Sequence, residues 1–273
     1  MRTKPAEEFA LPSETPRVQE VFWDWGAWHF FEGQSERAGL LGGWLRERFG
    51  PDTEDAIRER FTFNSYDFHG RIYEVFWHIS LPANLHTAHL IEMRREGDRL
   101  KRAKVPGANL WLHKLPAFVE EAPEVWTQTL FGLPQLQTFK NLPPLKNPVR
   151  VVEGYRTAIV CSLYFPEFVW LGASSLQGLS LYSYTVCEPL RPYCIELFPD
   201  LSLQAVEEWT KHAEELRKRG YKCQVHRGLW DFVEAGGGPE KFGDIEDFLL
   251  QFTPEELGQR STMRDELRGR FYL

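Results

Sequence analysis

Val151-Val152-Glu153-Gly154-Tyr155 is a short apolar run that ends in a carboxylate, and Ile195-Glu196-Leu197-Phe198-Pro199-Asp200 repeats the arrangement downstream. Short runs of this kind read as strands of a parallel sheet, because strands covered on both faces need not alternate. In open α/β sheets, ligands bind just beyond the carboxyl ends of the strands. Glu153 and Asp200 are therefore expected side by side at the functional edge, where two carboxylates suit a divalent metal. A third acidic cluster, Gly243-Asp244-Ile245-Glu246-Asp247, follows at the distance of one more βα unit.

Working outward, the pattern predicts a helix over 155–164, a buried strand over 168–171 and a loop of small residues over 172–178. A strand over 193–198 comes next, then a helix over 203–219 with Ser202 as N-cap and Gly220 as its stop. A strand over 221–226 and a short helix over 245–252 complete this part, with Gly236-Gly237-Gly238-Pro239 as a loop between them. Gly154 would let the backbone approach a phosphate at the start of the following helix. Arg156, one turn in, is a candidate second phosphate contact.

Upstream, residues 21–31 are dense in aromatics and read as a docking segment, with a base-stacking platform as the alternative. Helical spacing predicts a helix over 35–49 with Ser35 as N-cap, and a second to about Arg60. Arg71 to Ser80 reads as a strand. Leu85 to Arg94 is expected to pair with Leu100 to Val105 through a turn at Glu96-Gly97-Asp98. That hairpin carries Arg94, Arg95, Arg99, Lys101, Arg102 and Lys104, enough positive charge to attract a phosphate backbone or, alternatively, to form a solvated face. His86 and His89 are an odd number of positions apart on this strand, which sets them on opposite faces and argues against joint metal ligation.

The division expected is a flexible leader (1–20), an α+β domain with the basic hairpin (21–147), a parallel α/β domain (148–252) and a C-terminal tail (253–273). The boundary near Asn147 rests on the prolines of 133–148. The chain of 273 residues is 42% hydrophobic and 14% aromatic, ample for a packed core. It contains no apolar run of membrane-spanning length and no apolar signal core, so a cytoplasmic location with no membrane partner is expected. The net charge of −7 argues against a broadly basic binder. Cys161, Cys187, Cys194 and Cys223 are scattered without a C-x-x-C pair, so they read as reduced packing residues and not as a zinc site. Ser-His-Asp, Cys-His, P-loop and Rossmann glycine patterns are all missing from the sequence.

The stretch 149–252 resembles the toprim domain, the metal-binding module of topoisomerases, bacterial primases and some nucleases. Val-Val-Glu-Gly-Tyr at 151–155 is very like the opening of that domain in bacterial replicative primases. The run from Thr157-Ala158 through Phe165-Pro166, Trp170-Leu171, Phe198-Pro199-Asp200 and Trp209 looks closer still to the primase-like toprim proteins of phages, plasmids and mobile elements. The resemblance implies an α/β fold whose C-terminal parallel sheet is flanked by helices and preceded by a small α+β domain. It implies metal-dependent nucleotidyl transfer in DNA replication, with Glu153 and Asp200 catalytic. Mg2+ or Mn2+ would lie on Glu153, Asp200, Asp244 and Asp247. Single-stranded DNA or RNA and nucleotides would be the partners, joined by a replicative helicase. The family's Asp-x-Asp reads Asp200-Leu201-Ser202 here, and a serine is a poor ligand for a hard cation. Two alternatives follow: a catalytically weakened toprim module that binds nucleic acid or the replisome, and a toprim nuclease.

Overall fold

The computed structural model describes residues 39–81, 83–116, 118, 128–138, 149–179, 184–234 and 243–260. The leader, the aromatic-dense segment 21–31, Ser35, the boundary near Asn147, the Gly236–Pro239 loop and the last residues of the expected tail lie outside them.

Helices α1 (Leu40–Phe49) and α2 (Thr53–Phe61) come first. Their buried faces carry Leu41, Trp44, Leu45, Ile57 and Phe61. They lead into strands β1 (Phe63–Phe68), β2 (Arg71–Ser80), β3 (Asn84–Glu96), β4 (Arg99–Arg102) and β5 (Asn109–Trp111). The antiparallel sheet runs β1-β2-β3-β4, and β5 pairs with the other part of β3. The expected hairpin is there, with Arg94 opposite Lys101 and Glu96 opposite Arg99. Gly97 sits at its turn with φ of 62°, a left-handed conformation that glycine adopts without a Cβ penalty.

The second sheet holds β6 (Val149–Val152), β7 (Val169–Gly172), β8 (Cys194–Phe198) and β9 (Lys222–Val225), all parallel, in the order β7-β6-β8-β9. A short α3 (Gln135–Thr138) precedes it, α4 (Tyr155–Tyr164) follows β6, and α5 (Leu203–Lys218) follows β8. The Ser202 hydroxyl accepts the Ala205 amide at 3.1 Å and so caps α5 as the sequence predicts. The chain closes with α6 (Gly228–Glu234), α7 (Ile245–Leu249) and α8 (Pro254–Gln259).

Two features add detail to the expected division. Just before the proline-bearing segment Phe131 exchanges backbone hydrogen bonds with Gly172 at the edge of the parallel sheet, and within it the Gln135 side-chain amide donates to the Trp170 carbonyl at 2.7 Å. The tail begins with a helix. Thr253 and Glu256 form a reciprocal capping box at its start, and Leu257 is buried. One hydrophobic core joins Leu41, Trp44 and Phe76 of the first half to Tyr155, Ile159, Trp170 and Phe248 of the second.

Candidate active site

The parallel β6–β8 pairing sets Val152 level with Phe198, so Glu153 and Asp200 emerge from neighbouring strands at the same rim. The Asp200 N–H donates to Glu153 Oε1 at 3.3 Å. Burial pushes the Asp200 carboxyl up to about 8, with further contributions from the negative charges of Glu153, Asp244, Asp247 and Glu246. Burial likewise raises Glu153, and the charge of Asp244 adds to this. Four acids thus crowd Asp200, and no lysine or arginine pairs with it among the described residues.

The other expected acids are held more firmly. Asp244 accepts the Asp247 amide as N-cap of α7 and takes a hydrogen bond from the Thr157 hydroxyl at 2.9 Å. Asp247 pairs with Arg99 of the hairpin at 2.8 Å and accepts the Gly243 amide. Arg156 pairs with Glu246 at 2.6 Å, so this candidate phosphate contact already faces a carboxylate. Glu246 is fully buried and raised to about 7 by that burial, against the opposing pull of Arg156. Its sequence signal is weak, since it sits between two acids that the acidic pattern favours.

Among the described residues, no three His, Cys, Asp or Glu groups converge tightly enough to cage an ion alone. Hard cations of the magnesium type need only one or two carboxylates, the remaining ligands being water and phosphate oxygen. Glu153 and Asp200 fit that requirement, since they bring two carboxylates to one rim.

The basic hairpin stands beside this rim through Arg99. Arg94 and Lys101 pair with Glu96, and Arg95 with Glu47, all at exposed positions. Arg102 and Lys104 are exposed as well. A cavity of about 220 Å³ opens between the antiparallel sheet and the start of α4, with His89, Met93, Arg102, Tyr155, Thr157 and Glu246 among its walls. Gly154, the second phosphate candidate, also lines it. His86 and His89 are both buried.

The fold is similar to that of primase catalytic cores. The E. coli primase catalytic core matches with a TM-score of 0.54 at 12% identity, over 89% of this chain and 80% of that one. The RNA polymerase domain of Mycobacterium tuberculosis primase DnaG matches with a TM-score of 0.52 at 11% identity, over 86% and 79%. A DnaG primase catalytic domain bound to ssDNA matches with a TM-score of 0.50 at 12% identity, over 87% and 78%. At such identities the likeness is one of fold. The chain belongs to the family described as "Domain of unknown function (DUF6371)", matched over residues 40–201. No curated protein sequence matches it. Among the described residues no helix is long and apolar enough to cross a membrane.

Proposed function

We propose that this is a primase-like toprim protein that joins nucleotides on a single-stranded template, with Glu153 and Asp200 as its catalytic carboxylates. The observation that carries the reading is the pairing of these two acids at the carboxyl ends of adjacent parallel strands, with Asp200 raised to about 8. Mg2+ or Mn2+ held by Glu153 and Asp200, with Asp244 behind them, would supply neutralisation of charge on the phosphate. Glu153, at the carboxyl end of β6 beside the Asp200 amide, is placed to accept a proton from an attacking hydroxyl. The α4 N-terminus at Gly154, which has no side-chain cap, offers amide groups to a phosphate oxygen. The exposed hairpin would steer the template to the rim from the side on which Arg99 touches Asp247. A replicative helicase remains the natural partner of such an activity. Incorporation of labelled nucleotides on single-stranded DNA, with Mn2+ and without it, tests the reading. Synthesis that survives both Glu153→Gln and Asp200→Asn would sink it.

Ser202 favours a second reading. Its hydroxyl is committed to the α5 cap, and Asp244 and Asp247 are engaged in caps and an ion pair. A weakened site that binds nucleic acid without joining nucleotides accounts for these facts. It predicts template binding with no synthesis. Nicking of supercoiled plasmid would point instead to the nuclease alternative.

A further inference from the structure

Tyr155 stands two residues after Glu153, and its hydroxyl is clasped between two buried histidines of the other sheet. His78 Nε2 on β2 and His89 Nδ1 on β3 each lie 2.9 Å from it. His78 Nδ1 lies 2.6 Å from the Thr129 carbonyl oxygen, and His89 Nε2 meets the Asn109 side chain. Ser174 supplies a further side-chain hydrogen bond to the same hydroxyl.

The chemistry of these groups fixes the direction of every proton. A backbone carbonyl only accepts, so His78 carries its hydrogen on Nδ1. Burial holds His78 down to about 3 and His89 to about 4, so both rings are neutral near pH 7. His78 Nε2 is then an acceptor, and the Tyr155 hydroxyl donates to it. That oxygen must accept from His89, whose hydrogen therefore also sits on Nδ1. His89 Nε2 is left as an acceptor, so the chain requires the Asn109 amide, placed with Oδ1 toward the ring, in its flipped assignment with the NH2 donating. One donor and both lone pairs of the hydroxyl are thereby used.

We propose that Tyr155 is a positioning residue, the centre of a one-directional hydrogen-bond chain that fixes the β6–α4 turn, and with it Glu153, against the antiparallel sheet. The ring is set as tightly as the hydroxyl. Phe76 and Phe131 approach it with centroids at 4.9 and 5.0 Å. On its other side, a Cβ on Gly172 would come within 2.9 Å of the Tyr155 ring and 3.2 Å of its Cα. His89 is itself stacked on Trp111 at 4.0 Å and 6°. Tyr155 is thus held through its ring by Phe76, Phe131 and the Gly172 backbone and through its hydroxyl by the two histidines, and Glu153 keeps its reach to the Asp200 amide. The catalytic meaning of the arrangement rests on the function proposed above; the geometric coupling does not.

Two readouts separate these. Long-range 15N–1H NMR spectra at pH 7 should show both His78 and His89 as the neutral Nδ1–H tautomer; Nε2–H on either ring overturns the chain. Tyr155→Phe keeps the ring and removes the hydroxyl. It should shift the Asp200 amide resonance and speed its hydrogen exchange at least tenfold, because that amide reports on Glu153. Ile159→Val, a core change on the same helix, should leave Asp200 untouched. Equal effects from both variants, or none from Tyr155→Phe, would show plain packing and overturn the positioning role. If Tyr155→Phe does not fold, His89→Asn makes the same test from the far end of the chain. For the functional clause, Mn2+ affinity by calorimetry should fall about tenfold in Tyr155→Phe. Absence of Mn2+ heat in the wild type counts against the proposed function, while the exchange result still decides the coupling.

Discussion

Arg150 and Glu196 face each other on neighbouring parallel strands, both wholly buried, with Arg150 Nε 2.9 Å from Glu196 Oε2. The guanidinium lies 3.6 Å from the centre of the Phe168 ring and is flanked by Trp170 and Phe198. The second carboxylate oxygen of Glu196 meets His226 Nδ1 at 3.2 Å. These two strands are the ones that deliver Glu153 and Asp200, so the ion pair pins their register a few residues behind the rim. A one-residue slip would send each side chain to the opposite face.

Removing one partner should therefore be worse than removing both. Arg150→Met leaves a buried, uncompensated carboxylate, and a loss of about 3–5 kcal/mol is expected by denaturant titration. Glu196→Gln should cost a similar amount. The double change Arg150→Met with Glu196→Met should recover most of the loss, since apolar side chains of like volume fill an aromatic-walled site well. Additive losses in this cycle would show that the two residues act independently.

The raised pKa of Asp200 sets the sign of a pH effect in the metal-free protein. The folded chain keeps a proton that the unfolded chain, with an aspartate near 3.9, releases. Stability from this group is thus fully present below about pH 4 and is lost as pH rises toward 8. Asp200→Asn should abolish that decline. A gain on the order of 2 kcal/mol at pH 8, and little at pH 4, allows for partial solvent screening. Thermal melts in chelator across this range check it, and parallel curves for the two proteins would refute it.

The parallel half was legible because its signals are local. Strand ends, the cap at Ser202 and the stop at Gly220 all lie within a few residues of what they govern, and α4 begins and ends as its pattern predicts. What was missed has two physical causes. Strand β1, Phe-Asn-Ser-Tyr-Asp-Phe, carries its burial without apolar alternation, since Asn64 Oδ1 accepts from the Trp77 indole and the Ser65 hydroxyl donates to Glu74 across the sheet. Helix α8 carried a readable capping box, Thr253-Pro254-Glu255-Glu256, that its short length obscured. In the site, Glu153 and Asp200 were visible because each ends a run. The clasp on Tyr155 was not, because its histidines lie on distant strands that only the folded chain brings together.

Charge reversal on the hairpin should separate steering from solubility. Arg94, Arg95 and Lys101 are partly matched by Glu96 and Glu47, whereas Arg102 and Lys104 have no acidic partner among the described residues. Arg102→Glu with Lys104→Glu should therefore weaken binding to a single-stranded oligonucleotide more than Arg94→Glu with Arg95→Glu. For every phosphate no longer neutralised, the slope of log affinity against log salt should fall by about 0.7. Melting temperatures should barely move, because these side chains cover little core. An unchanged slope in fluorescence titrations would make the hairpin a solvated face.

Ser202 offers the sharpest test of whether the rim is active. Ser202→Asp restores the acid that the Asp-x-Asp pattern places there and keeps a good cap, because an aspartate oxygen can accept the Ala205 amide as the hydroxyl does. It also sets negative charge near the α5 N-terminus, which that end of a helix favours. Stability should therefore change by less than about 1 kcal/mol. A further oxygen donor beside Glu153 and Asp200 should tighten Mn2+ binding, read as stronger heat in calorimetry, and raise nucleotide incorporation if the site turns over. The new charge should also add to the repulsion around Asp200, so the metal-free variant should be the less stable form at pH 8 and the more strongly stabilised by Mn2+. Glu153→Gln in the same background should erase the added heat. If Ser202→Asp neither binds Mn2+ more tightly nor gains stability from it, the rim is a scaffold that positions nucleic acid without metal chemistry.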